Sequence, residues 1–527
     1  MRMIGRRGGV AVTAAVLLAG AWGHGFAQAS AGTARTIVVD AKAAGTPFPH
    51  FWEQMFGSGR ANLALRQSYR DDLDRVRKVT EFRYVRFHAI LDDENGVYSE
   101  DAQGKPVYNW SYVDQIYDGL LAHEIRPFVE ISFMPKALAA KVEYHAFWYK
   151  PIPSPPADYA KWDALITAFG KHLVERYGVD EVSQWYFEVW NEPNIDFWIG
   201  RPAQSTYFEL YDHTARALKA ASEKIRVGGP ATAQAAWVGD LIAHVTENHV
   251  PLDFVSTHVY GNDSTRDVFH NDEPMAPHQM VCAAVNKVHN EIAKSAKPDI
   301  PLIWSEFNAT YMNEQPITDS IYMGPWLADT ISKCDGKTLM MSYWSFSDVF
   351  EEQGVVKTPF YGGYGIVAED GIPKPAYDVF MLLHKLGEER LEAPMDAALV
   401  TRRKDGTIVL AAWNLVEPGA EGTDKTVTFD LYGAGGLHTE VKHKVEVEIK
   451  NTKAVIWRVD AEHGDTLDEW KKMGSPAFPT EEQIEDLRKV SELGAPEEMP
   501  IRDHRLTVTV PPMGLVVVEV QATGNRE

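Results

Sequence analysis

The sequence predicts an α/β chain, a (β/α)8 TIM barrel followed by an antiparallel β-sandwich. Three observations predict it. Between about residues 50 and 387, short apolar runs alternate with longer amphipathic ones, the pattern of a parallel sheet covered by helices on both faces. Eight apolar runs fall in that span, the strand count of such a barrel. Beyond Leu386, short alternating segments separated by turns replace them, which reads as antiparallel sheet.

Taken in order, residues 1–29 read as a signal peptide. Arg2, Arg6 and Arg7 precede the small, apolar stretch 8–20, and Ala27-Gln28-Ala29 is an A-x-A cleavage site. Export to the periplasm or cell exterior is the expectation, with cleavage near Ala29. No run is long enough to span a bilayer as a helix. Residues 30–44 carry the run Thr36-Ile37-Val38-Val39, a strand suited to pairing into the sandwich. The barrel is expected over 45–387, with strands at 51–55, 82–88, 127–133, 184–190, 227–230, 254–260, 302–307 and 340–346. Amphipathic stretches such as 159–176, 206–222 and 280–293 carry apolar residues at helical spacing between them. An open doubly wound sheet is the alternative, but no G-x-G-x-x-G follows the first strand. The sandwich is expected over 388–527, with strands at 408–414, 426–431, 455–459, 506–510 and 515–520 and turns at 405–406 and 434–436. A helical, acidic insertion interrupts it at about 462–500.

Bulk properties exclude some functions. A chain of 527 residues is too long for one compact core. The net charge of −22 opposes nucleic acid, anionic membranes and polyanionic substrates. Cys282 and Cys334 are the two cysteines. Export permits a bridge between them, and two buried free thiols remain open as the alternative.

Two acidic clusters carry the chemistry. Trp190-Asn191-Glu192-Pro193-Asn194 and Ile303-Trp304-Ser305-Glu306-Phe307-Asn308 each close an apolar run. In a barrel every strand's C-terminal end faces the same mouth, so Glu192 on the fourth strand and Glu306 on the seventh converge. Two facing carboxyls are what a retaining glycosidase needs, one to protonate the leaving oxygen and one to attack the sugar. We assign Glu192 as acid/base and Glu306 as nucleophile. Asn191 is suited to hydrogen-bond the sugar 2-hydroxyl. Metal-ligand spacing and nucleotide loops are absent from the sequence, and the two-carboxyl mechanism requires no cofactor.

The chain resembles glycoside hydrolase family 39, the family of β-xylosidases and α-L-iduronidases. The resemblance rests on Pro127-Phe128-Val129-Glu130-Ile131-Ser132-Phe133-Met134-Pro135, on the two glutamate segments, and on Val227-Gly228-Gly229-Pro230-Ala231. It continues through His258-Val259-Tyr260-Gly261, Phe346-Ser347-Asp348-Val349-Phe350-Glu351-Glu352 and Gly371-Ile372-Pro373-Lys374-Pro375-Ala376-Tyr377. It covers about 45–385 and, less distinctly, the sandwich. It implies acid/base on the fourth strand and nucleophile on the seventh. It also implies a sugar subsite lined by His88, His258, Tyr260, Trp344, Glu351 and Glu352, with Phe133 and Trp148 as weaker candidates. Each of these has a plain structural role open to it as well, in core packing or as a solvated acidic pair. Family members that cleave iduronate have a lysine in the segment resembling 258–261. Here Tyr260 stands there, which favours a neutral sugar. The resemblance thus implies an exo-β-1,4-xylosidase acting on xylo-oligosaccharides. The alternatives are another retaining activity of the barrel (α-L-arabinosidase, β-glucosidase, endo-acting polysaccharide hydrolase or an α-L-iduronidase-like enzyme) or a non-catalytic carbohydrate-binding protein.

Overall fold

The structure, a computed structural model, describes residues 35–393, 395–432 and 452–522. The expected signal peptide and the turn at 434–436 lie outside them. Eight strands form a closed barrel. They are β1 Met55–Arg60, β2 Tyr84–His88, β3 Arg126–Ile131, β4 Tyr186–Val189, β5 Arg226–Thr232, β6 Phe254–Tyr260, β7 Leu302–Asn308 and β8 Met340–Tyr343. Each pairs in parallel with the next, and β8 with β1.

Side chains two residues apart on a strand point the same way, so the barrel interior is layered. Met55, Phe128, Tyr186, Phe254, Ile303 and Met340 form one apolar cluster near the strand starts. Two residues further along their strands stand Glu130 and Glu188, and Arg86 takes the same position after Tyr84; all three are buried. One more step brings His88 and His258, also buried. Polar chemistry is thus set above an apolar floor.

One strand is displaced from its expected place. The run 51–55 precedes β1, and its hydrophobicity serves packing beneath the barrel, where Phe48 and Trp52 lie 5.2 Å apart between ring centroids. The true first strand, Met-Phe-Gly-Ser-Gly-Arg, is poor in large apolar residues. The eighth strand also ends early, at Tyr343, leaving Trp344 just past it.

Among the described residues, the sandwich comprises a seven-stranded and a three-stranded sheet. Arg35–Asp40 pairs in parallel with Lys425–Tyr432, which pairs antiparallel with Arg505–Val510. Central in the larger sheet, Ile408–Trp413 pairs with Leu515–Ala522. Ile408 and Leu410 pack toward Val427, Phe429 and Val508 of the small sheet. Val409, Ala411 and Trp413 join the barrel's own core. The central strand Ile408–Trp413 is covered on both faces and is apolar and buried throughout, whereas Arg505–Val510 alternates exposed and buried residues. In the acidic insertion, helices Thr466–Lys472 and Glu481–Val490 pack Leu467, Trp470 and Leu487 against Phe360 and Ile372.

Candidate active site

Glu192 stands three residues beyond β4 in a left-handed backbone conformation, φ 43°, with Trp190 at φ 73°. Such conformations cost roughly 1–3 kcal/mol in a residue other than glycine and persist only where the surroundings impose them. Here the Glu192 N–H donates to the Ala231 carbonyl at 2.8 Å, and the Trp190 indole donates to the Phe197 carbonyl at 2.7 Å. Glu306 lies within β7 and needs no such turn. One carboxylate oxygen of each, with one nitrogen of His258, lie within 4.8 Å of one another. A retaining pair is typically separated by about 5–5.5 Å.

Both glutamates line a cavity of about 320 Å³, together with His88, Asn191, Tyr260, Trp344 and Glu352. His258 is fully buried behind it, with Nδ1 3.0 Å from Glu192 Oε1 and Nε2 3.1 Å from Ser305 Oγ. The Tyr260 hydroxyl donates to Glu306 Oε2 at 2.6 Å. Trp344 rests directly on Gly57, where a Cβ would come 2.0 Å from the ring. Glu351 is not brought to the sugar position. Its two oxygens pair with Arg66 at 2.7 Å and Arg60 at 2.9 Å, an ion pair that ties the segment after β8 to the end of β1. Phe133 is buried edge-on to Trp190, and Trp148 is half exposed beneath the Arg60 guanidinium.

The profile described as Glycosyl hydrolases family 39 matches residues 35–504. The chain belongs to that family. A β-xylosidase of Geobacillus stearothermophilus is 38% identical over 84% of this chain and 86% of its own. One of Caldicellulosiruptor saccharolyticus is 35% identical over 84% and 88%. The crystal structure of a monomeric β-xylosidase from Caulobacter crescentus CB15 superposes with a TM-score of 0.82 at 33% identity, covering 93% of this chain and all of that one.

In this family 39 chain the two glutamates sit in different fields. Burial pushes Glu192 well above the usual carboxyl range, and the charges of Glu306 and Asp263 push it further. Burial raises Glu306 too, but Arg86, His88 and the Tyr260 hydroxyl oppose it. Of the pair, Glu192 therefore keeps the proton. His258 is held neutral by burial and by the neighbouring charges of Arg86 and His88. For His88 burial works against the cation, yet Glu130 and Glu352 outweigh it and lift the imidazole to about 10.

Sequence reasoning missed the hub of this network. Arg86, fully buried, donates to Glu188 at 2.6 Å, Glu306 at 2.6 Å and Asn191 Oδ1 at 3.0 Å, and it pairs with Glu130 at 2.7 Å. With its oxygen engaged, Asn191 has its NH₂ left to offer a sugar hydroxyl. The signal was present, since single charges inside the apolar runs holding Arg86, Glu130 and Glu188 demand partners. Two groups among the described residues have cation-binding geometry, His50–Glu53–His384 and Glu192–His258–Glu306. In the second, Arg86 and cationic His88 already supply positive charge. In the first, both histidines hydrogen-bond the buried Glu53 carboxylate.

Proposed function

We propose that this protein is a retaining exo-β-1,4-xylosidase that releases xylose from xylo-oligosaccharides. The observation that carries the reading is the unequal pair in one small cavity, with Glu192 protonated by its surroundings and Glu306 held by Arg86 and Tyr260. Glu306 attacks the anomeric carbon while Glu192 gives its proton to the departing oxygen, forming a glycosyl ester on Glu306. Ester formation consumes the Glu306 charge. That removes one cause of the raised Glu192 pKa, so Glu192, ionised by the transfer, stays a carboxylate until it takes a proton from the water that cleaves the ester. The anionic lining supports a neutral sugar, and the relatives named above support xylose. A cavity of about 320 Å³, near the lower bound for small-molecule sites, suits one terminal sugar.

Export is part of the same reading. Cys282 and Cys334 form a disulfide with Cα atoms 5.3 Å apart, which fits an oxidising compartment.

The test is nitrophenol release from p-nitrophenyl β-D-xyloside by wild type and Glu192→Ala, with azide added to the variant. Turnover by wild type, its loss in the variant and azide rescue giving β-xylosyl azide establish sugar, acid/base and retention together. Turnover of another glycoside in place of the xyloside reassigns the sugar, and an α-azide product, the result of direct displacement, makes Glu192 the nucleophile rather than the acid/base.

A further inference from the structure

Resting on the xylosidase reading, which already requires a subsite for the departing sugar ring, the geometry points to the two residues that set the specificity of that subsite in this chain. We propose that Gln234 supplies its polar wall and Tyr311 its aromatic wall. The cavity has two sides, fixed by strand order. His88, Trp344 and Glu352 come from the ends of β2 and β8, which flank β1. Ile195, Ala233, Gln234 and Asp263 come from segments after β4, β5 and β6, around Glu192. The leaving group must sit beside the acid that protonates it, so this second side faces the sugar that departs.

The end of β5 and the segment after it are built under strain. Ala231, Gln234, Ala235 and Trp237 all have left-handed backbone, with φ of 54°, 61°, 53° and 58°. None is glycine, so the surroundings must hold them there. Asn194, in the motif of the acid/base, provides a two-point clamp. Its Oδ1 accepts from the Ala233 N–H at 2.9 Å, and its Nδ2 donates to the Ala233 carbonyl at 3.0 Å. Lys287 Nζ donates to the Ala235 carbonyl at 2.9 Å. Gln234 is thereby presented to the cavity next to Asp263, whose carboxylate accepts from the Tyr260 N–H at 2.8 Å.

Tyr311 is 52% exposed and yet lines the cavity. Its N–H donates to Asn262 Oδ1 at 3.0 Å, and its ring stands edge-on to Tyr260 at 6.1 Å. An aromatic face at the rim with an amide and a carboxylate nearby matches a sugar, which offers a C–H face and a hydroxyl edge. Asn194 is a positioning residue that acts through Gln234.

The experiment compares kcat/KM for xylobiose, whose leaving group is a ring, with that for β-D-xylosyl fluoride, whose leaving group has none. Gln234→Ala and Tyr311→Ala each lower the xylobiose value roughly 3- to 10-fold, the size of one hydrogen bond or one ring contact. The fluoride value changes by less than about twofold, because glycosyl transfer itself is untouched. Asn194→Ala shows the same selectivity, and Asn194→Ala combined with Gln234→Ala is no worse than the more damaging single variant. Equal losses on both substrates, or no loss on xylobiose, overturn that assignment while leaving the xylosidase intact. Absence of fluoride turnover by wild type overturns the xylosidase reading itself.

Discussion

Glu192 and Glu306 share a side chain and differ in what surrounds them. One borders a neutral imidazole and a second carboxylate, the other a guanidinium and a phenol. Activity needs Glu192 protonated, so kcat/KM falls as pH rises through its elevated pKa, and the alkaline limb reports Glu192. With 2,4-dinitrophenyl β-D-xyloside, which departs without an acid, that limb should vanish in Glu192→Ala; a limb that persists assigns the proton to another group. Glu306→Gln should lower turnover by roughly 10³-fold or more with folding unchanged by circular dichroism. Arg86→Met leaves Glu130 and Glu188 buried without their cation, and unfolding in denaturant should show a loss of about 3–5 kcal/mol. A stability equal to wild type would mean the cluster is already neutralised by protons. For His88 the folded pKa is raised from 6.5 to about 10, so its stabilising contribution is complete below pH 6.5 and is lost as pH rises through about 10. His88→Gln should flatten the stability curve across that window.

At the scale of elements, β1 and β8 act as a unit, because the Trp344 ring occupies the space a side chain at position 57 would take. Gly57→Ala should drive the ring from the cavity wall and lower kcat/KM for the xyloside at least about tenfold, with Tm reduced as well by overpacking. Unchanged kinetics would remove Trp344 from the sugar site. The same elements explain why some strand limits were legible and others not. Runs such as 254–260 show their strand because every residue is buried and all but His258 and Tyr260 are apolar or compact. The segment Met55–Arg60 hid because Gly57 makes room for the ring of Trp344, which follows the last strand of the barrel. Glu351 misled for a related reason. It adjoins Glu352 in sequence, but Arg60 and Arg66, almost 300 residues earlier, decide which way it faces.

Across the whole molecule, the seven-stranded sheet lies against the barrel helices Met323–Cys334 and Pro375–Leu383, with Leu515 and Val517 in the shared core. The sandwich thus covers apolar barrel surface. The disulfide joins the helix Pro277–Ala293 to the helix Met323–Cys334 across a separation of 52 residues. Cys282→Ser with Cys334→Ser should cost about 2–4 kcal/mol, read as a lower Tm that reducing agent no longer shifts. An unchanged Tm would mean that core packing alone fixes those helices.

The sequence by itself determined the alternation of strands and helices, the change to sandwich after Leu386, and the two glutamates at strand ends. Each is a local pattern of burial or a residue set against it, and such patterns survive in one dimension. Tertiary structure alone decided the rest: Arg86 as shared partner of four side chains, the separate fields of Glu192 and Glu306, and the removal of Glu351 from the cavity. Those depend on distances between residues far apart in the chain, and electrostatic energy follows distance and burial rather than order along the sequence.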